Sequence, residues 1–209
     1  MNCKICKSTI QQDLVLKNAR KFYLCEHCDF VFLADEFLLS KEQEKARYDQ
    51  HQNLESNQIY MKILEGFYSY AVKAHYSSGD LLDFGSGPKP VFAELLQDKG
   101  IEPDIYDVFY APNLPQRQYD FVASIETFEH FNQPLNEIKM ISELLKKRAY
   151  LAVMTEFRPS LEVFKAWRYK DDTTHVSFYS PKTFEYISEL FGFKLIKHND
   201  KGTIILQKL

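Results

Sequence analysis

The chain has 209 residues, 45% of them hydrophobic, with 26 basic and 29 acidic side chains for a formal net charge of -3, enough for one globular domain with a proper core and a small appendage. It has no run of about 18 apolar residues, and the opening "MNCKICKSTI" lacks the apolar segment of a signal peptide, so a soluble cytoplasmic protein that does not engage a membrane is expected. Lys4, Lys7, Lys17, Arg20 and Lys21 are balanced by Asp13, Glu26, Asp29, Asp35 and Glu36, and no basic segment marks a nucleic-acid binder.

All four cysteines lie near the N-terminus, Cys3 and Cys6 in "CKIC" and Cys25 and Cys28 in "CEHC". Two C-x2-C pairs at this separation fit a tetrahedral zinc site, with two short strands in "DLVLKNARKFYLC" around the turn-like Lys17-Asn18-Ala19. Disulfides and redox chemistry are the competing readings, and a reducing cytosol disfavours the first. Four thiolates leave a zinc ion no open position, so the metal is structural and supplies much of the folding free energy of so short a segment. His27 reads as an exposed ring rather than a fifth ligand. The ribbon, residues 1–40, either grips a partner or packs on the remainder through Phe30, Phe32 and Leu33.

From Lys41 to Tyr76 the pattern is helical, with Ile59, Ile63, Phe67 and Tyr70 on a face expected to be buried. "DLLDFGSG" follows as a short buried strand, and "PVFAELLQDKG" as a helix with Pro90 in its first turn and Gly100 as its stop. "PDIYDVF", "YDFVASIE" and "AYLAVMTE" read as strands, the last two separated by a helix over "PLNEIKMISELLKKR". Near-continuous apolar strands alternating with helices predict a mostly parallel sheet covered on both faces. "SPKTFEYISELFGF" is then a capped helix stopped by Gly192, and "FKLIKH" and "GTIILQKL" form a hairpin through "NDKG" that places an antiparallel strand near the C-terminal edge.

In that setting "LLDFGSGPKP" is more than a turn, because parallel sheets bind ligands beyond the carboxyl ends of their strands. Gly85 and Gly87 let the backbone approach a ligand closely. The Asp83 carboxylate suits a ligand with a positive amino group, and Asp107, ending the second strand, can accept from both hydroxyls of a ribose. From Glu42 to Leu209 the chain resembles the class I S-adenosylmethionine-dependent methyltransferases, through "LLDFGSG", "DIYD", "YDFVASIETFEHF" and "HVSFYSPKTFEYISELFGF". The cysteine pairs resemble zinc ribbons carried by some bacterial methyltransferases. The resemblance implies a Rossmann-like three-layer α/β domain over residues 41–209, an S-adenosylmethionine cofactor, and methyl transfer to an acceptor expected to be a small molecule. An RNA or protein acceptor recognised by the ribbon, a nicotinamide enzyme, and a non-catalytic binding module with a degenerate cofactor site remain the alternatives.

The same resemblance implies that Asp83, Gly85 and Gly87 cradle the methionine part of the cofactor and that Asp107 binds its ribose. It also puts Ile125, Glu126 and Thr127 around the cofactor, with Tyr48, His51 and Asn53 on a segment folded over it. Lys89 stands where a third glycine is common, and with Pro88 and Pro90 it stiffens or blocks the loop. Only "DVFYAPNLPQRQY" separates Asp107 from Tyr119, too little for the family's usual helix and further strand. The third, edge strand is therefore expected to be absent, with 108–118 an irregular flap that lays Phe109 and Tyr110 beside the adenine. For a base the candidates are His130 and His175, with Glu129, Glu156 and Tyr179 behind them. Phe157, Phe164, Trp167, Tyr169, Phe178 and Tyr179 form either an aromatic acceptor pocket or core packing. Asp171, Asp172 and His175 show no specific metal-ligand spacing.

Overall fold

The computed structural model describes residues 1–10, 12–15, 20–50 and 58–209. The ribbon contributes β1 (Gln12–Val15), β2 (Lys21–Cys25) and β3 (Phe30–Leu33). Helices α1 (Lys41–Tyr48), α2 (Gln58–Phe67) and α3 (Lys73–His75) follow, the last two joined by a π-helical turn over Tyr68–Val72. The remainder runs β4 (Leu81–Phe84), α4 (Val91–Asp98), β5 (Asp104–Tyr106), β6 (Tyr119–Ile125), α5 (Pro134–Leu144), β7 (Leu145–Met154), α6 (Leu161–Phe164), β8 (Ser177–Phe178), α7 (Pro181–Phe191), β9 (Phe193–His198) and β10 (Thr203–Lys208). None of the described helices is long and apolar enough to cross a membrane.

The main sheet has six strands in the order β5-β4-β6-β7-β10-β9. The first three pairings are parallel, and β10 runs antiparallel to both its neighbours. Alternation along the strands sends Leu82, Val122, Leu151, Val153 and Leu206 to one face and Leu81, Phe121, Ala123, Ala152 and Ile205 to the other. The first face is covered by Ile138 and Ile141 of α5, Phe184 and Ile187 of α7, and the ribbon. The second is covered by Leu64, Phe67, Ala71 and Val72 from the α2–α3 stretch and by Val91, Phe92 and Leu95 of α4. This is the expected three-layer, Rossmann-like α/β arrangement. Helix α7 starts on a capping box between Ser180 and Thr183 and stops at Gly192, whose φ of 67° only glycine adopts readily.

The edge strand is absent. Between Asp107 and Tyr119 the chain makes an isolated bridge from Asp107 to Ala111 and no helix or ladder strand. Arg117, returning from this flap, clamps Asp104 on β5 at 2.5 Å, and the Tyr119 hydroxyl donates to the same carboxylate at 2.6 Å, so polar side chains guard the exposed edge.

Three boundaries differ from expectation. In α2 the buried residues are Leu64 and Phe67, continued by Ala71 in the following turn, while Ile59 and Ile63 are 74% and 46% exposed; the helix packs on α4 through the next row of side chains and turns its isoleucines toward a cleft. Helix α5 ends at Leu144 instead of running through Arg148. Leu145 pairs with Tyr119 on β6, and the register shifts before Phe121 meets Tyr150. Arg148 takes a positive φ of 68° within this irregularity. The ribbon hairpin, third, does not end at its own strands: β3 pairs with β8, making a four-stranded sheet β1-β2-β3-β8. The turn at 17–19 lies outside the described residues.

Candidate active site

The loop leaving β4 is built by hydrogen bonds to the neighbouring strand end. Gly85 and Ser86 N–H groups both donate to the Tyr106 carbonyl, at 2.7 and 3.1 Å. Gly85 has φ 85°, and a Cβ there would lie 2.2 Å from Thr127 Oγ1, so its glycine is required by Thr127 packing rather than by ligand approach. The Thr127 hydroxyl lies 3.0 Å from the Ile125 carbonyl and 3.4 Å from the Phe84 carbonyl, joining the ends of β6 and β4. At Gly87, φ 70°, a Cβ would meet nothing within 4 Å, so its open side faces free space. Lys89 is exposed and is not among the cleft-lining residues, so it does not block the loop.

Asp107 organises both loops. Its Oδ2 accepts from Gly87 N–H at 3.0 Å, and its Oδ1 accepts from Phe109 and Tyr110 N–H at 2.8 and 3.1 Å. The Tyr110 hydroxyl donates to Asp49 at 2.6 Å, so the flap is stapled to the end of α1. Tyr48, from the same helix, sets its ring tilted 5.7 Å from Phe109 and edge-on 5.1 Å from His130. His51 and Asn53 lie outside the described residues.

Around these groups opens a cleft of about 1730 Å³ at the carboxyl ends of β4, β5 and β6. Tyr48, Gly85, Gly87, Asp107, Phe109, Ile125, Glu126 and Thr127 all line it, as do His130 and His175. Asp83 does not: it is 2% exposed and sits behind the lining, with Oδ2 lacking a protein partner. Burial, and next the Asp107 charge, push its carboxyl up to about 7. Ser86 Oγ is likewise buried without a partner.

One wall carries an acid and histidine cluster. Glu126 holds the positive φ of 49° at the end of β6, and burial together with the neighbouring Glu129 charge pushes its carboxyl up to about 9. The Tyr169 hydroxyl bridges the two acids, 3.0 Å from Glu126 Oε2 and 2.5 Å from Glu129 Oε1. One hydroxyl proton cannot serve both, and the raised Glu126 carboxyl retains a proton of its own. His130 Nδ1 lies 3.0 Å from the Thr174 carbonyl and His175 Nδ1 2.6 Å from the Tyr169 carbonyl, so both rings carry their N–H on Nδ1 and their lone pair on Nε2. The rings stand 4.8 Å apart.

The aromatic loop resolves as packing. Phe164 and Phe178 pack on Phe22 of the ribbon with Trp167 against both of them, Tyr179 is fully buried, and of the six expected aromatics only Phe157 lines the cleft. Asp172 shapes a turn, accepting from Thr174 N–H at 3.0 Å and pairing with Arg47 at 2.7 Å.

Behind this wall stands the ribbon. Its four thiols are unbridged, with Sγ atoms of Cys3 and Cys28 3.6 Å apart, those of Cys6 and Cys25 3.3 Å apart, and all four within 4.8 Å of one another. Arg20 donates to the carbonyls of Lys170, Asp172 and His175 at 2.8, 3.3 and 3.2 Å. Leu33 N–H donates to the Val176 carbonyl at 2.8 Å. The loop that carries His175 is thus held from behind by the ribbon. Arg20 gave no sequence signal for this role, and neither did Ile59, Ile63 or the Asn199–Thr203 turn, which also line the cleft; all depend on contacts distant in the chain.

A family model described as a methyltransferase domain matches residues 55–198. Among solved structures, a SAM-dependent methyltransferase from Thermotoga maritima superposes with a TM-score of 0.52 at 14% identity, over 78% of this chain and 98% of that one. An O-methyltransferase family protein from Burkholderia thailandensis gives 0.55 at 13% identity over 83% and 61%. A SAM-dependent methyltransferase from Archaeoglobus fulgidus gives 0.51 at 18% over 70% and 94%. At such identities these structures speak to the fold. No curated protein matches the sequence. The family match spans nearly the whole main sheet and every described residue of the cleft except those on α1 and in the hairpin turn, and on that ground the chain belongs to the methyltransferase domain family and is an enzyme of methyl transfer.

Proposed function

We propose that the protein moves the methyl group of S-adenosylmethionine to a small-molecule acceptor, with the donor seated in the cleft at the carboxyl ends of β4, β5 and β6. The observation that carries this reading is the open side of Gly87, held by Asp107 at the mouth of a cleft that Lys89 leaves clear. A binding module with a degenerate site called for that hollow to be filled. The buried, partnerless Ser86 Oγ, on the loop that lines the cleft, fits a ligand that brings polar atoms to the loop.

In this reading Gly85, Ser86 and Gly87 hold the methionine part, and Asp107 accepts the ribose hydroxyls on lone pairs beyond those used for backbone N–H groups. Phe109, Ile125 and Thr127 flank the adenine side, with Tyr48 above it and Glu126 at the boundary with the acceptor. When bound, the donor supplies an electrophilic methyl carbon: the acceptor's lone pair forms the new bond, the carbon–sulfur bond breaks with its electron pair retained by sulfur, and the acceptor's proton is released. His130 and His175 face the acceptor as catalytic groups, orienting it or taking its proton on Nε2. Alignment of acceptor and methyl group by these walls supplies much of the rate.

For the ribbon, residues 1–40, we assign one structural zinc on Cys3, Cys6, Cys25 and Cys28, with residues 41–209 as the methyltransferase domain. Zinc–sulfur bonds of about 2.3 Å imply sulfur–sulfur edges of about 3.8 Å, close to the separations here. Unbridged thiols suit a reducing, cytoplasmic setting. The β3–β8 pairing supports a role in bracing the acceptor-side loop.

Thermal shift and calorimetry with S-adenosylmethionine, S-adenosylhomocysteine and NAD test the reading. The first two stabilise the protein and NAD does not; absence of any shift with either sulfur ligand overturns it. Labelled methyl followed into metabolite pools then identifies the acceptor.

A further inference from the structure

We propose that Glu129, His130 and His175 form a second metal site, which binds a divalent transition-metal ion on the acceptor wall of the cleft. Its place beside the acceptor rests on the methyl-transfer reading; the binding of the ion does not.

Three observations converge. The ligand atoms of these residues lie within 4.8 Å of one another, so an ion at about 2.0–2.2 Å from each needs them to draw in by rotamer adjustments on the order of 1 Å. Glu129 is fully buried, yet its Oε2 has no hydrogen-bond partner. Leaving a buried carboxylate oxygen unsatisfied is costly, and an ion is the partner that the two adjacent imidazoles select. Finally, both rings direct Nδ1 to a backbone carbonyl, His130 to Thr174 and His175 to Tyr169. That contact fixes the tautomer with the lone pair on Nε2 and orients the ring, as in metal-bound histidines. Glu129 is oriented in the same way by the Tyr169 hydroxyl on Oε1.

The elements holding the three ligands are tied together. Val176 N–H donates to the Glu129 carbonyl at 2.8 Å, and Ser177 Oγ donates to the Phe131 carbonyl at 2.7 Å. Two imidazoles and one carboxylate suit zinc, iron, manganese or cobalt, whereas magnesium and calcium prefer oxygen ligands. Three protein ligands leave coordination positions open, and His130 and His175 both line the cleft. An acceptor oxygen or nitrogen entering such a position is held in place, and its proton is acidified by the ion. In that state the imidazoles are ligands and do not take the proton. The site is separate from the four-cysteine cluster in both residues and chemistry.

Manganese is the probe, because a thiolate site filled with zinc does not take it up. Zinc-replete protein without any methyl donor is titrated with Mn2+ and followed by electron paramagnetic resonance. Wild type is expected to bind one ion per chain. His130→Gln and Glu129→Gln weaken binding at least tenfold, and the surface control Asp98→Asn leaves it unchanged. Circular dichroism checks that each variant is folded. Folded wild type that takes up no Mn2+ at millimolar concentration, and no zinc beyond one per chain, overturns the inference, as does uptake unaltered in both folded ligand variants. Donor affinity is measured separately by calorimetry, so failure of the cofactor reading and failure of the metal site give different results.

Discussion

Arg20→Ala tests whether the ribbon braces the active-site wall. The guanidinium donates to three carbonyls of the 170–175 loop, at 2.8, 3.3 and 3.2 Å, and lies 5.2 Å from the Phe22 ring centroid. Hydrogen bonds to a charged group contribute about 1.5–3 kcal/mol each. Two of these are long and the side chain is only half-buried, so we take about 2–4 kcal/mol for the set. With a urea slope of about 2 kcal/mol per molar, the middle of the usual range, the unfolding midpoint falls by roughly 1–2 M. Amide exchange across residues 170–178 speeds up by a comparable free energy, while α4 and β4 change less. Arg20→Lys restores under half of the loss, because an ammonium lacks the planar fork that spans several carbonyls. An unchanged midpoint together with unchanged exchange in 170–178 would refute the bracing argument.

The two loop glycines separate by mechanism. Gly85→Ala drives a Cβ into Thr127 at a positive φ and destabilises the fold by about 2–4 kcal/mol in denaturant melts, whereas Gly87→Ala costs about 1–2 kcal/mol but lowers S-adenosylmethionine affinity at least tenfold by calorimetry; the reverse order of effects would show that the cradle is misassigned. Asp107→Ala removes the acceptor of three backbone N–H groups as well as the ribose contact, so donor affinity drops by roughly 1.5–3 kcal/mol or more and the 108–118 flap loses exchange protection; equal affinities would place the ribose elsewhere. Asp83, raised from 3.8 to about 7 by burial and then by Asp107, keeps a proton in the folded state that the unfolded chain releases near pH 4. Stability from this group is therefore full below pH 4 and is lost as pH rises to about 7, by at most on the order of 4 kcal/mol. Asp83→Asn should flatten this decline in melts between pH 4 and 8, and parallel profiles would contradict the assignment. Metal analysis should find one tightly held zinc on the four cysteines; its removal by a strong chelator unfolds β1–β3 and exposes the 170–178 loop, and a ribbon that stays ordered without metal would sink the structural role.

Where a feature depends on spacing, period or length, the sequence alone determined it. The two C-x2-C pairs, the near-continuous apolar runs of β4, β6 and β7, and the glycine loop between strand and helix are local patterns, and backbone geometry restricts each to few outcomes. The same logic applied to 108–118, which is too short for a helix and a further strand, and the six-stranded sheet follows from that shortage. What local pattern could not settle was which face a side chain takes and what it meets. Ile59 and Ile63 have the right spacing for a core face, but α4 docks on Leu64 and Phe67 instead, because packing selects among adjacent rows of one helix. The aromatic run at 157–179 is equally compatible with a pocket and a core, and Phe22, more than a hundred residues earlier, decided for core. Only the tertiary structure set Arg20 against the His175 carbonyl and brought His175 beside Glu129 and His130, since closing loops of that length requires the whole sheet to form, and no short-range preference records it.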